Sequence, residues 1–154
     1  MNILLAIDDS KFSEAATKVV QQQMRPEQTE LTILHVVAPI ESHPSMPHAV
    51  HAHDIEAAQQ ALLKRGKEVV AHAAELLSKA GFRVHTAVET GDPGPAIVAF
   101  AAKRHCDVIV VGSHGRRGLD RMLMGSVAEY VARHASCTVE IVRVPGTNGP
   151  HSRT

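Results

Sequence analysis

The stretch VVGSHGRRGLDRMLMGSVAEYV, residues 110–131, runs from an apolar β-branched segment into a helical pattern through three closely spaced glycines. Gly112 directly follows Val111, where a sharp turn out of a strand calls for permissive backbone angles. Gly115 and Gly118 lack Cβ, so the backbone there can approach a ligand and aim successive N–H groups at an anion. Ser126 starts the following helix and Glu129 stands three residues on, which is capping-box spacing. The N–H groups of that first turn carry partial positive charge and suit a phosphate. Arg116, Arg117 and Arg121 in between can neutralise a polyphosphate. This is no Walker loop, because Gly-Lys-Ser/Thr is missing, and it is not the Gly-x-Gly-x-x-Gly dinucleotide fingerprint. Taken alone, the glycines also read as turn punctuation in front of a capped helix.

Working outward, DVIVV (107–111) is a strand entering the stretch, and SVAEYVARHA leads to a further strand, CTVEIVRV (137–144). At the other end of the chain, ILLAI (3–7) is an unbroken apolar run stopped by Asp8-Asp9-Ser10, the pattern of a strand buried on both faces. Phe12, Ala15, Ala16, Val19 and Val20 form the apolar stripe of a helix that Arg25-Pro26 ends. ELTILHVVAP (30–39) is a second buried strand. A long helix is expected from an N-cap at Asp54 to Ala80, with Ile55, Ala58, Leu62, Val69, Ala73 and Leu76 on its buried side and Gly81 just beyond its end. FRVHTAVE (82–89) alternates Phe82, Val84, Thr86 and Val88 on one face, and TGDPGPAIVAFAAKRH is a turn and a helix. Five short strands alternating with helices predict an α/β fold, an open parallel sheet with helices on both faces. Ligands of such sheets sit beyond the carboxyl ends of the strands, the edge from which the glycine stretch emerges.

Composition narrows the functional classes. The 154 residues suit one domain, expected over residues 1–145 with a disordered tail over 146–154. Sixteen basic residues balance sixteen acidic ones, leaving no global positive field to hold nucleic acid or an anionic membrane. The start, MNILLAIDDS, has no basic region of a signal peptide, and no apolar run reaches the ~18–20 residues of a membrane span. A cytoplasmic protein is expected. Two cysteines, Cys106 and Cys137, make no disulfide framework and read as structural rather than as a redox pair.

The interval Gly112, two residues, Gly115, nine residues, Gly125-Ser126 resembles the ATP-binding signature of the universal stress protein family. The resemblance extends over nearly the whole chain: LLAIDDSKFSEAA, LTILHVV, TGDPGPAIVAFAAKRHCDVIVVGSHG and GSVAEYVARHASCTVEIVRV are similar to its successive segments. It implies a flavodoxin-like (Rossmann-like) sheet of order 3-2-1-4-5, with ATP lying across the ends of strands one and four. Carried over by position, Asp8 would meet the ribose or adenine, and Ala6 and the Val36 backbone would line the adenine pocket. Val111 and Gly112 would pack on base and ribose. Gly115, Gly125, Ser126 and Val127 would hold the phosphates, with Mg²⁺ or Mn²⁺ bridging their oxygens and no protein-only metal cage. ADP and AMP remain open beside ATP. Family members also pair as homodimers through strand five. Two departures bear on this: Asp9 stands where a glycine commonly follows the acidic residue, repelling phosphates or helping hold a metal, and Glu140 replaces a commonly apolar residue in strand five. A Glu near a two-fold axis would meet its own charge.

Other candidates carry less. His43, His48, His51 and His53 lie in a Pro-rich segment without cysteine and read as a solvated loop rather than a zinc site. His114, inside the glycine stretch, either contacts phosphate or faces solvent; no nucleophile or paired carboxylates accompany it, and no catalytic residue is assigned. The function expected is a nucleotide-dependent regulatory module of the stress response. The alternatives are an adenine-nucleotide enzyme (an ATP hydrolase or adenylyl transferase) and a nucleotide-free dimeric scaffold.

Overall fold

The computed structural model describes residues 1–41, 52–115 and 124–144. Arg116, Arg117, Gly118, Arg121, Met122, three of the four loop histidines (His43, His48 and His51) and the tail lie outside the described residues. Along the chain run β1 (Asn2–Ala6), α1 (Lys11–Gln23), β2 (Glu30–Val37), α2 (Ala52–Lys79), β3 (Arg83–Thr90), α3 (Pro93–Lys103), β4 (Val108–Gly112), α4 (Ser126–His134) and β5 (Thr138–Val142). The five strands form one parallel sheet in the order β3-β2-β1-β4-β5, as expected.

The central strands explain that order. Ile3, Leu4, Leu5, Ile33, Leu34, Ile109 and Val110 are wholly inaccessible, so β1, β2 and β4 bury both faces. One face, with Ile3, Leu5, Ile33 and Val110, packs on Ala16 and Val20 of α1 and Val70, Ala73 and Leu77 of α2. The other, with Leu4, Leu34, Ile109 and Val111, packs on Ile97 and Ala101 of α3 and Ala128 and Val131 of α4. Two aliphatic layers thus clamp the sheet, and they differ only in which pair of helices closes them.

The buried stripe of α2 keeps part of the expected one, with Ala73 buried and Val69 packed on the core, but is rotated from it. Gly66, Val70, Ala73 and Leu77 face the sheet, whereas Leu76 is 45% exposed and Ala58 is exposed. Gly66 sets that rotation. A Cβ there would come 2.6 Å from Cδ2 of His35, so the helix rests its backbone on the His35 ring. Asp54 lies inside the helix rather than at its N-cap. At the other end Gly81 has φ +94°, and Phe82 N donates to Leu77 O, a left-handed C-terminal stop.

Candidate functional site

The carboxyl ends of β1, β2 and β4 open into a cleft of about 610 Å³. Ala6, Asp8, Val36, Val111, Gly112, Gly115, Gly125, Ser126 and Val127 all line it, so the structure brings together the nine residues that the family resemblance carries over. Its two ends differ chemically. Leu34, Val36, Val37 and Ala38 of β2 and its end, Leu62 of α2, and Pro93 and Ile97 of α3 make an apolar end. Gly112, His114 and Gly115 after β4 and Met124, Gly125, Ser126 and Val127 around the head of α4 line the other end, towards which the first turn of α4 turns its backbone N–H groups.

Local chemistry positions each part. Asp8 Oδ1 accepts from Ser10 N at 2.9 Å and from Ser13 Oγ at 2.8 Å, while Asp8 N donates to Ser13 Oγ at 2.7 Å. Ser10 Oγ accepts from Ser13 N and caps α1. The turn after β1 is therefore closed on itself without a glycine, and Asp8 is held at the floor of the cleft. Asp9 pairs with Arg65 of α2 at 3.0 Å, which sets a cation against the charge that the sequence placed near the ligand.

The glycines do different work from what their spacing suggests. Gly112 has no positive φ; a Cβ on it would stand 2.7 Å from Phe12 Cβ and 2.9 Å from Phe12 carbonyl carbon. Its role is close packing of β4 on the start of α1, not a sharp turn. Gly115 faces the cleft, where a Cβ would lie 3.0 Å from Asp8 Oδ2. Gly125 N donates to Ser113 O at 2.7 Å, and a Cβ on Gly125 would press on Ser113 O and His114 Cα, each at 3.1 Å. The two ends of the glycine stretch are thereby tied backbone to backbone.

The capping box does not form. Gly125 occupies the N-cap, no side chain caps α4, and the Glu129 carboxylate pairs with Arg133 at 2.9 Å instead. Glu129 N is the first to find an intrahelical acceptor, Gly125 O. Helix geometry leaves the N–H groups of Ser126, Val127 and Ala128 without one. A glycine cap keeps that helix end open to a ligand where a serine side chain would cover it.

Two polar lining residues are not read as site residues from the sequence, Ser13 and His35. Ser13 is buried beneath Asp8, and the Asp8-Ser10-Ser13 spacing is the signal of an Asx turn feeding a helix cap. His35 is 7% exposed and its Nδ1 donates to Ile7 O at 2.8 Å. A histidine within the apolar run of β2 was the visible clue. Among the described residues no group of three His, Cys, Asp or Glu side chains gathers to hold a metal. His53 is exposed on α2. Cys106 and Cys137 are free thiols packed in the α3–α4 layer, and burial raises both above the usual thiol range. Asp107 is structural: its Oδ2 accepts from Asn2 N at 2.7 Å.

Fold and cleft together define a doubly wound α/β protein with a ligand-sized opening at the strand carboxyl ends. The universal stress protein family model matches residues 1–143, and the chain belongs to that family. Universal stress protein YxiE of Bacillus subtilis is 32% identical over 144 residues, covering 92% of this chain and 97% of that one. A universal stress protein of Methanocaldococcus jannaschii is 38% identical over 90 residues, 58% of this chain and about half (53%) of the relative's own length. Among solved structures, UspA of Lactobacillus plantarum has a TM-score of 0.78 at 25% identity, covering 93% of this chain and 97% of that one. The universal stress protein of Archaeoglobus fulgidus, solved in complex with dAMP, has a TM-score of 0.61 at 23% identity, covering 92% and 96%.

Proposed function

We propose that the protein is a nucleotide-dependent regulatory module whose cleft binds an adenine nucleotide, ATP foremost, with ADP and AMP as smaller ligands of the same site. The observation that carries this reading is the polarity of the cleft. A planar, weakly polar base suits the apolar end between β2, α2 and α3. A phosphate chain suits the opposite end, where Gly115 and the uncapped start of α4 offer backbone donors and a helix dipole. Asp8, whose carboxylate accepts from Ser10 and Ser13, would meet the ribose that joins base and phosphates. The dAMP complex of the Archaeoglobus fulgidus protein is in keeping with such a ligand. Mg²⁺ or Mn²⁺ would be carried by the phosphates themselves, neutralising charge that the cleft does not meet alone.

A regulatory role follows from what surrounds the donors. Phosphoryl transfer asks for a positioned attacking group and a metal cluster beside the phosphates. The described residues of the cleft are binding groups, which favours nucleotide occupancy over turnover as the signal. The open edge of β5, with Val139 and Ile141 half-buried, is the surface on which a second copy would pair. Mass spectrometry of small molecules released from the purified, denatured protein tests the reading. Recovery of an adenine nucleotide in stoichiometric amount supports it. Rapid consumption of added ATP with an acceptor would favour an enzyme instead.

A further inference from the structure

The cleft reaches over both sides of the β2 end, and the residues expected around the base, Ala6, Val36 and Val111, account for one of them. These three belong to the layer closed by α3 and α4. Ile7 belongs to the layer of α1 and α2, and alternation from Ile33 puts His35 and Val37 on that side too. Leu62 of α2 completes this second side. Among the described lining residues of β2 and α2, His35 alone has a polar side chain. Its ring is buried and Nδ1 donates to Ile7 O, so in the neutral imidazole Nε2 presents a lone pair. Nε2 has no hydrogen-bond partner among the described residues. It is reachable all the same, because the sealed side-chain polar atoms without a partner among those residues are Thr29 Oγ1 and Gln59 Nε2. Gly66 leaves room for the ring edge, where a Cβ would come 2.6 Å from Cδ2 and 3.4 Å from Nε2. A buried acceptor of fixed orientation is thus open on a ligand cleft.

We infer that His35 is a specificity-determining residue of the cleft, whose Nε2 accepts a hydrogen bond from the exocyclic amine of the base. This rests on the proposed nucleotide site and adds to it which edge of the base is turned to α2. The 6-amino group is the one N–H donor that an adenine base carries in a nucleotide. Entering the apolar end of the cleft, it leaves water for surroundings that are mostly hydrocarbon, where an unpaired donor is costly. Nε2 is the side-chain acceptor waiting there, and it too gains a partner it otherwise lacks. A 6-oxo group in the same place sets oxygen lone pairs against that of the nitrogen. The hydrogen bond to Ile7 O holds the ring beforehand, so binding has little side-chain freedom left to remove.

Calorimetric titration of AMP and of purine riboside 5′-monophosphate, which lacks only the 6-amino group, tests this in the wild-type protein and His35→Phe. One hydrogen bond predicts that the wild type binds AMP about fivefold more tightly than the analogue. His35→Phe keeps a ring beside Gly66 and removes both nitrogens, so the two ligands should bind it within about twofold of each other. In ¹⁵N spectra of the wild-type protein, His35 Nε2 has the shift of an unprotonated ring nitrogen. That signal moves on adding AMP and stays in place on adding the analogue. Equal wild-type affinities for the two ligands, or a preference for AMP that His35→Phe retains, would overturn the assignment while leaving the nucleotide site standing. An Nε2 that carries the ring hydrogen in the free protein overturns it as well. A wild-type protein that binds neither ligand overturns both readings. Should His35→Phe not fold, the wild-type preference and the Nε2 signal decide alone.

Discussion

Gly112 and Phe12 meet backbone to backbone: a Cβ on the glycine would lie 2.7 Å from Phe12 Cβ and 3.0 Å from Phe12 O. The contact joins the end of β4 to the first turn of α1, and both Asp8 and His114 hang from that junction. Gly112→Ala therefore has to push a helix backbone, not a flexible side chain. Overpacking of this kind costs about 1–3 kcal/mol. Urea denaturation should show a lower midpoint at unchanged slope. An Ala variant as stable as wild type would mean that the glycine is there for the ligand.

Ser13 is buried and serves Asp8 twice, accepting from its N–H and donating to its carboxylate. Ser13→Ala leaves the half-buried Asp8 amide without its acceptor and is expected to destabilise by about 1–3 kcal/mol. It also unlocks Asp8, so nucleotide affinity should fall further than Thr17→Ala makes it fall one helical turn away. Thermal unfolding and titration of the two variants side by side check this.

His105 is the one described non-glycine residue with positive φ, at +52°, where α3 stops and Cys106 N returns to Ala101 O. The left-handed conformation disfavours a side chain by about 1–2 kcal/mol. His105→Gly should recover part of that, about 0.5–1 kcal/mol after the added freedom of the unfolded chain. A higher denaturation midpoint with unchanged nucleotide affinity is the expected outcome, because the turn is at the opposite end of β4 from the cleft.

Burial raises the Cys106 thiol, with the neighbouring Cys137 and Asp107 adding to the shift, and burial raises Cys137 as well. In the folded state these thiols keep their protons at a pH where the unfolded chain releases them. Their contribution to stability is complete below the ordinary thiol range and is lost as pH rises from there through the raised value of the folded state. Denaturation midpoints should fall on the alkaline side, and Cys106→Ala should flatten that fall. Native Cys106 should also react slowly with a thiol reagent at neutral pH, since little thiolate forms there.

How much of this was legible in the chain varies with the range of the interaction. Short apolar runs such as ILLAI and DVIVV declare a two-sided sheet, because a strand buried on both faces has no polar alternation to confuse the reading. The glycine stretch placed the cleft for the same reason: strand, loop and helix head are contiguous in sequence. What failed depended on partners far along the chain. The rotation of α2 was misjudged at Leu76 because it is set by Gly66 resting on His35, 31 positions away in sequence. Gly112 reads as a turn residue because Phe12 cannot be seen beside it in one dimension. Ser126 reads as the head of a capping box, yet Glu129 has an Arg133 partner one turn on. Local rules held where the decision was local.

In the proposed binding mode phosphate enters between Gly115 and the start of α4. Calorimetric titration of ATP with Mg²⁺ into the wild-type protein and Gly115→Val tests it most directly. The substitution adds a β-branched side chain at a position where even Cβ would come 3.0 Å from Asp8 Oδ2. Saturable binding in the wild type, lost in Gly115→Val while cooperative thermal unfolding persists, is the predicted result. A Gly115→Val protein that folds and binds ATP as tightly as wild type would contradict the account.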